Sequence, residues 1–528
     1  MVCLPLQALA IFRLFRLGQL GGVLPWDDCL IVEQNLRRLE LVSLSPTLGR
    51  TLHMFRVLGP HSAVADGQAF LGLALTGGQA AGAYALNVVA LMIALTAILF
   101  SLRKATLPLV IGLIALMVAQ PITLQSLLWI KADFKSGVLI AAALFVYYQS
   151  IVQRSRRLGL VASALLGGAI LCKLTAFYLP VVAVMVICLV FTAEFITQRG
   201  EPSAESPLGF ARARLAQFAA CVALAVVPFA LFFAWSAVSS PSILSYIHDA
   251  LNATWSDGLS YASRALHYGP ANNRSWGLLH WEVLLFAAAA LVASRLDRSR
   301  GFASFLAVGL MIAAIFYLPL VAAGASNFEF SGTFLGVILG LVMISFFSLA
   351  AASTARGWAA LLVVGAFALL TPLLSFALGD PGSAALKRQD LIAIEQTYRQ
   401  ISAVIHAQKQ GQAAHLLTFF EDEDAPYPNL SIFHFEGGGG TLFVQRLDDP
   451  ETKGAADPRL AEADYLLSLW PADGVATPGY HLSKQFGGAR HLARDNAFVA
   501  GLANFTVVRR YPWKGGELRL YGRRGAAS

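Results

Sequence analysis

Charge is what this sequence has least of. Only 13% of its 528 residues are Asp, Glu, Lys or Arg, where a soluble globular chain carries about a quarter. The basic residues are scattered between apolar runs, so no Lys/Arg block forms a nucleic-acid footprint. The formal net charge of +8 reads as a bias between loops. Cysteine is scarce too. Cys3, Cys29, Cys172, Cys188 and Cys221 show no metal-ligand spacing, and the hydrophilic C-terminal part has none, so no disulfide framework is expected. Glu421-Asp422-Glu423-Asp424 lacks the spacing of an EF-hand loop and reads as a solvated turn. Gly437–Gly440 lacks the GxxxxGK[ST] context of a phosphate loop and reads as a hairpin connection.

Apolar sequence fills the space that charge leaves. Hydrophobic residues make up 57% of the chain, and the mean hydropathy is +0.62. Runs of roughly bilayer-crossing length fall at about 4–24, 81–102, 106–128, 137–152, 158–172, 175–195, 216–238, 277–294, 302–323, 333–353 and 357–378. The expected fold is a polytopic α-helical membrane protein of about 11 transmembrane helices. Arg13 and Arg16 interrupt the first run. It is read as a tilted helix, because a cleaved signal peptide would carry positive charge before its apolar core.

Orientation follows from lysine and arginine. One set of loops holds Arg103, Lys104, Arg154, Arg156, Arg157, Arg199, Arg212, Arg214, Arg295, Arg298, Arg300 and Arg356. The alternate short loops hold only Lys131, Lys135, Lys173, Arg264 and Arg274. The first set is expected in the cytoplasm of a plasma (inner) membrane protein. The N-terminus is then inside, and an odd number of crossings puts the C-terminus outside. The loops 25–80, 129–136 and 239–276 share that outer face with the tail. Within the first, Val32, Leu36 and Leu39 fall on one face of a helix over Ile31–Leu44, with Arg37, Arg38 and Glu40 off it. This suits a helix lying in the interface or packed on the outer domain.

Composition shifts after Gly379. A helix is expected over Lys387–Gln410, and strands over Ala414–Phe420, Ser431–Phe435, Thr441–Arg446, Asp464–Leu469, Phe505–Arg510 and Glu517–Tyr521. The chain therefore reads as a transmembrane module over 1–378 and an extracytoplasmic α/β domain over 379–528.

The outer-face residues carry the chemistry. Asp27 and Asp28 form an acidic pair just past the first apolar run, in Pro25-Trp26-Asp27-Asp28. A second outer loop reads Lys131-Ala132-Asp133-Phe134-Lys135, and Lys173-Leu174-Thr175 marks another outer helix end. This layout, with its interfacial helix and C-terminal domain, resembles the membrane glycosyltransferases of the GT-C superfold. The protein O-mannosyltransferase-like and aminoarabinose-transferase-like branch is the nearest in shape. The resemblance covers most of residues 1–378 and implies a polyprenyl-phosphate sugar donor, a lipid bilayer around the enzyme and an extracytoplasmic acceptor: a cell-envelope glycan, lipid or protein.

Under that resemblance one carboxylate of Asp27 and Asp28 acts as general base. The other orients the acceptor, holds a divalent metal or raises its neighbour's pKa. The plainer reading is a helix N-cap. Lys131, Asp133, Lys135, Lys173 and Arg264 are the candidates for the donor phosphate, against interfacial snorkelling. His61, His248, His267 and Tyr268 are the substrate-side candidates, against a turn at His61 and an aromatic belt in the 239–276 loop. Glu329 reads as a solvated charge. No cofactor is fixed, and metal dependence is left open. The rivals are a transporter, which calls for repeats and paired broken helices, a non-catalytic scaffold of envelope glycan assembly, and a polymerase or ligase of lipid-linked glycans.

Overall fold

The computed structural model describes residues 3–16, 20, 28–44, 47–56, 63–103, 105–173, 178–198, 207–235, 260–268, 300–322, 331–351, 388–410, 412–418, 442–446, 458–471, 496–513 and 516–525. The spans expected at 277–294 and 357–378, the strand at Ser431–Phe435, Glu421–Asp424, Gly437–Gly440 and Glu329 lie outside them. The chain divides into two compact units. One comprises Met1–Ala10, Leu41–Gly72 and Tyr84–Pro381, the other Ile11–Glu40, Leu73–Ala83 and Gly382–Ser528.

The helices are α1 (Cys3–Arg16), α2 (Asp28–Leu44), α3 (Leu48–Arg56), α4 (Ala63–Leu75), α5 (Ala80–Ala85), α6 (Val88–Ser101), α7 (Leu107–Val118) and α8 (Pro121–Leu128). They continue as α9 (Ala132–Val152), α10 (Arg156–Cys172), α11 (Tyr178–Gln198), α12 (Pro207–Trp235), α13 (Tyr261–Tyr268), α14 (Arg300–Ala322), α15 (Gly332–Ala351), α16 (Arg388–Lys409) and α17 (Pro458–Glu462). Among the described residues six segments are long and apolar enough to cross a membrane: Ala80–Ser101, Ala132–Val152, Tyr178–Thr197, Arg214–Trp235, Phe305–Ala322 and Gly332–Ala350. The pair α7 and α8 makes a seventh if taken as one span; it bends by 60° at a break that Pro121 follows. The chain is thus a multi-pass membrane protein.

Of the first run, the described residues form α1 over Cys3–Arg16. Two sequence expectations are corrected here. The run at 106–128, read as one continuous span, is broken by a 60° bend. In α2, Arg38 lies on the buried side with Ile31, Val32, Asn35 and Leu36. It is held there by donating to Asn35 Oδ1 at 3.0 Å, while Asn35 donates to the Ile31 carbonyl at 2.8 Å.

Helix α9 is apolar on every side and is buried nearly all round, the behaviour of a central helix. Its partners are α10 and α15. Gly137 on α9 faces Gly332 and Gly336 on α15 so closely that a Cβ at Gly336 would lie 2.5 Å from Gly137 Cα. Small residues at four-residue spacing let two backbones touch where lipid supplies no hydrophobic drive. Hydroxyls complete the seams: Tyr147 with Ser163 and Tyr148 with Ser348, both at 2.7 Å, and Ser136 donating to the Ala169 carbonyl at 2.9 Å.

In the second unit, strands β1 (Ala414–Thr418), β2 (Leu442–Arg446), β3 (Tyr465–Pro471), β4 (Phe505–Trp513) and β5 (Gly516–Arg523) form one sheet in the order β2-β1-β3-β5-β4. The β1 pairings are parallel, and β3–β5 and β4–β5 are antiparallel. Leu417, Leu460, Ala463, Leu466, Val499, Phe505 and Tyr521 form a core on one face. Asp464 ties the entry to β3, accepting from Lys409 Nζ at 2.7 Å and from the His415 amide at 2.9 Å.

Candidate functional site

The helices of the first unit sort their charges by end. Gln153, just past α9, donates to the Ser101 carbonyl at the end of α6 at 2.7 Å. Gly159 near the start of α10 approaches Gln217 near the start of α12. Arg214 on α12 pairs with Glu194 near the end of α11 at 2.6 Å. One end of this helix group therefore carries Arg103, Arg154, Arg156, Arg157, Arg212 and Arg214. The opposite end carries Lys131, Asp133, Lys135 and Lys173.

At the lysine end the connection from α8 to α9 is an extended strip. Trp129 has φ −117° and ψ 138°, and Lys131 has φ −49° and ψ 145°. Extended backbone in a buried place needs partners for its carbonyls, and side chains supply them. Asn87, in the break between α5 and α6, donates its amide to both the Leu127 and Trp129 carbonyls at 3.1 Å. Gln7 on α1 donates to the Leu127 carbonyl at 3.2 Å. Lys135 Nζ donates to the Ile130 carbonyl at 2.8 Å. The strip delivers Lys131 to the head of α9, with its ammonium 5.5 Å from the centroid of the Trp129 ring, within cation–π range.

Helix α9 starts earlier than the sequence suggests. The expected outer loop 129–136 ends at Lys131, so Asp133 is in the first helical turn and Lys135 is on the helix. Lys135 is fully buried, which removes the snorkelling reading for it. Asp133 accepts from Lys173, the residue that closes α10, rather than orienting its sequence neighbours. Gly332 at the start of α15 packs against the Asp133 backbone, a Cβ there meeting the carbonyl carbon at 2.7 Å. The Tyr178 phenol at the start of α11 lies within interaction range of Lys173, Asp133 and Thr333.

Three helix N-termini, those of α9, α11 and α15, thus meet three lysines and one aspartate. The four charged side chains sum to a formal +2, and a helix N-terminus adds roughly half a positive charge. Such an arrangement suits an anion, a phosphate above all.

Arg264, His267 and Tyr268 share the short helix α13, where Arg264 and Tyr268 face inward and are buried. The His267 ring meets Tyr268 edge-on at 5.0 Å. The helix is fixed by Tyr317 of α14 donating to the Ala265 carbonyl. Tyr317 in turn packs against Phe334, next to Thr333, with ring centroids 5.0 Å apart and the rings tilted by 51°. Of the 239–276 loop, the described residues 260–268 thus include a short helix with Arg264 and Tyr268 packed inward. Asp28 opens α2 with its side chain fully buried; a carboxylate in the first turn suits the helix dipole. Asp27, His61 and His248 lie outside the described residues. Among the described residues no three His, Cys, Asp or Glu side chains are grouped to hold a metal ion.

Sequence reasoning missed Asn87, Tyr178, Thr333 and the Gly137–Gly332–Gly336 contact. Asn87 carried a readable mark, a polar amide inside an apolar run. Nothing marked Thr333.

No protein-family model and no curated protein matches the sequence. Among solved structures, the chain is similar to the crystal structure of ArnT from Cupriavidus metallidurans in the apo state, with a TM-score of 0.57 and 11% identity over 99% of this chain and 98% of that one. It is also similar to the crystal structure of the same ArnT bound to undecaprenyl phosphate, with a TM-score of 0.55, the same identity and the same coverage. Along nearly its whole length the chain shares the fold of that ArnT.

Proposed function

We propose that the chain is a membrane glycosyltransferase that takes a sugar from a polyprenyl-phosphate donor and passes it to an extracytoplasmic acceptor. The observation that carries this reading is the lysine cluster at the N-termini of α9, α11 and α15, on a fold shared with a protein crystallised with undecaprenyl phosphate. The acceptor hydroxyl or amine attacks the anomeric carbon, the bond from that carbon to the phosphate oxygen breaks, and the lipid phosphate leaves with the electron pair. Lys131, Lys135 and Lys173 receive the charge that grows on that oxygen. Asp133 holds Lys173 in place, and Arg264 is a further phosphate contact. Asp28, with Asp27 beside it in sequence, takes the proton from the nucleophile. His61, His248, His267 and Tyr268 serve the substrate side. The protein works in the plasma (inner) membrane, with its N-terminus in the cytoplasm and the segment from 379 outside.

The test is a transfer assay with radiolabelled polyprenyl-phosphate sugars in membranes, comparing wild type with Asp28→Asn at matched protein level. The expected loss is at least about 100-fold, the scale of a missing general base. Near-normal transfer by Asp28→Asn and by Asp27→Asn would make the pair a helix cap.

A further inference from the structure

The most basic stretch of the chain lies far from the lysine cluster in sequence. Residues 505–524, the β4–β5 hairpin, hold Arg509, Arg510, Lys514, Arg519, Arg523 and Arg524 against Glu517 alone, a formal +5 of the chain's +8. Arg523 is spent on structure, donating to the carbonyls of Leu460, Ala461 and Ala463 at 2.8–2.9 Å. Arg510 and Arg519 are directly opposite each other on β4 and β5, and Arg519 is opposite Ser468 on β3. Strand alternation puts Trp470 and Glu517 on that same face, while Leu467, Leu469, Leu518 and Leu520 of the other face are buried.

The group is organised. The Trp470 indole N–H donates to Ser468 Oγ at 2.8 Å, which fixes the ring. The Arg519 guanidinium lies 3.8 Å from the centroid of that ring. Glu517 Oε1 holds Arg519 through Nε and Nη2 and stands 3.6 Å from Arg510. The Arg510 side chain is 60% exposed, and Glu517 and Arg519 are partly so. The face therefore offers guanidinium donors, a carboxylate acceptor and a flat stacked surface side by side. A uniformly anionic bilayer is met by clusters of Lys and Arg alone, and the carboxylate of Glu517 at the centre of the patch opposes it. A saccharide with sparse charge uses all three features: its carboxylate or phosphate on the arginines, its hydroxyls on Glu517, and its ring on the stack.

We infer that the face formed by Trp470, Arg510, Glu517 and Arg519 is a binding site for an anionic saccharide. Resting on the glycosyltransferase reading, it is where the glycan part of the acceptor docks. The test uses the full chain in neutral-lipid nanodiscs, titrated with sialyllactose as the singly carboxylated probe and lactose as its uncharged counterpart. Sialyllactose binds at least about tenfold tighter, and Arg510→Gln and Arg519→Gln each weaken it about fivefold or more. Trp470→Leu weakens it likewise. Arg510→Gln changes an exposed side chain, so it keeps the test valid if the other two variants unfold. Equal binding of the two probes overturns the inference, as does wild-type affinity in Arg510→Gln. So does a dependence on these arginines that appears only as binding to vesicles containing phosphatidylglycerol. Saccharide binding without sugar transfer would remove the glycosyltransferase reading and leave this site; transfer without saccharide binding would remove this site alone.

Discussion

Lys173 and Asp133 show what a single pair does at this site. Both side chains are largely buried, 11% and 13% exposed, and they pair across α9 and α10. Desolvation takes back much of what such a pair gains, so its net contribution to stability is small, while removing one partner strands a buried charge at about 3–5 kcal/mol. Asp133→Asn is therefore expected to lower the unfolding temperature of the detergent-purified protein clearly. The double variant Asp133→Leu/Lys173→Met is expected to recover most of that loss. If Lys173 also binds the donor phosphate, the double variant stays weak for undecaprenyl phosphate although its fold is restored. Recovery of both stability and lipid-phosphate binding would reduce the pair to a structural strut.

At the scale of elements, the α9–α15 seam sets the site. Gly332 rests on the backbone of Asp133, so the contact that brings the two helices together also fixes the head of α9. A Cβ at Gly336 would lie 2.5–2.6 Å from the Gly137 Cα and carbonyl carbon, and backbone cannot give way as a side chain can. Gly336→Ala is expected to cost about 1–3 kcal/mol by overpacking and to weaken lipid-phosphate binding with it. Gly340→Ala, with its nearest contacts at 3.1 Å, is expected to cost less, and Gly49→Ala, with nothing within 4 Å, to change neither property. Equal stability of all three variants would show that the seam is not tight. The four-residue spacing of Gly332, Gly336 and Gly340 was open to reading in the sequence, but its partner Gly137 was not. Periodicity reports the face of one helix and says nothing of which helix it meets. The five described strands of the second unit, short runs of leucine, valine and aromatic residues bounded by polar sequence, stood within a few residues of their expected places. The head of α9 did not: Lys-Ala-Asp-Phe-Lys looks like a loop by charge and becomes helix because Asn87, Gln7 and Lys135 satisfy the strip before it.

For the whole molecule the deciding question is which way it faces. Loop charge and helix ends agree here for a physical reason. Arginines held at one end by the antiparallel run of α9, α10, α11 and α12 are expected to stay on the cytoplasmic side during insertion, with the lysine cluster at the other end. This reading puts the lysine cluster and Ser528 both outside. A fusion at Ser528 is expected to be active with alkaline phosphatase, which folds only after export, and silent with a reporter that works only in the cytoplasm. A single cysteine placed at Arg156, in a background with the native cysteines changed to serine, is expected to react with a membrane-impermeant maleimide in inside-out vesicles and not in intact cells. The two measurements are independent: the first depends on the parity of all crossings, including those at 277–294 and 357–378, and the second only on the α9–α10 turn. A cytoplasmic Ser528 with a cytoplasmic Arg156 would mean an even number of crossings and would leave the lysine cluster outside. An extracytoplasmic Arg156 would turn that cluster toward the cytoplasm, and an outward-facing sugar transfer at these lysines would then be excluded.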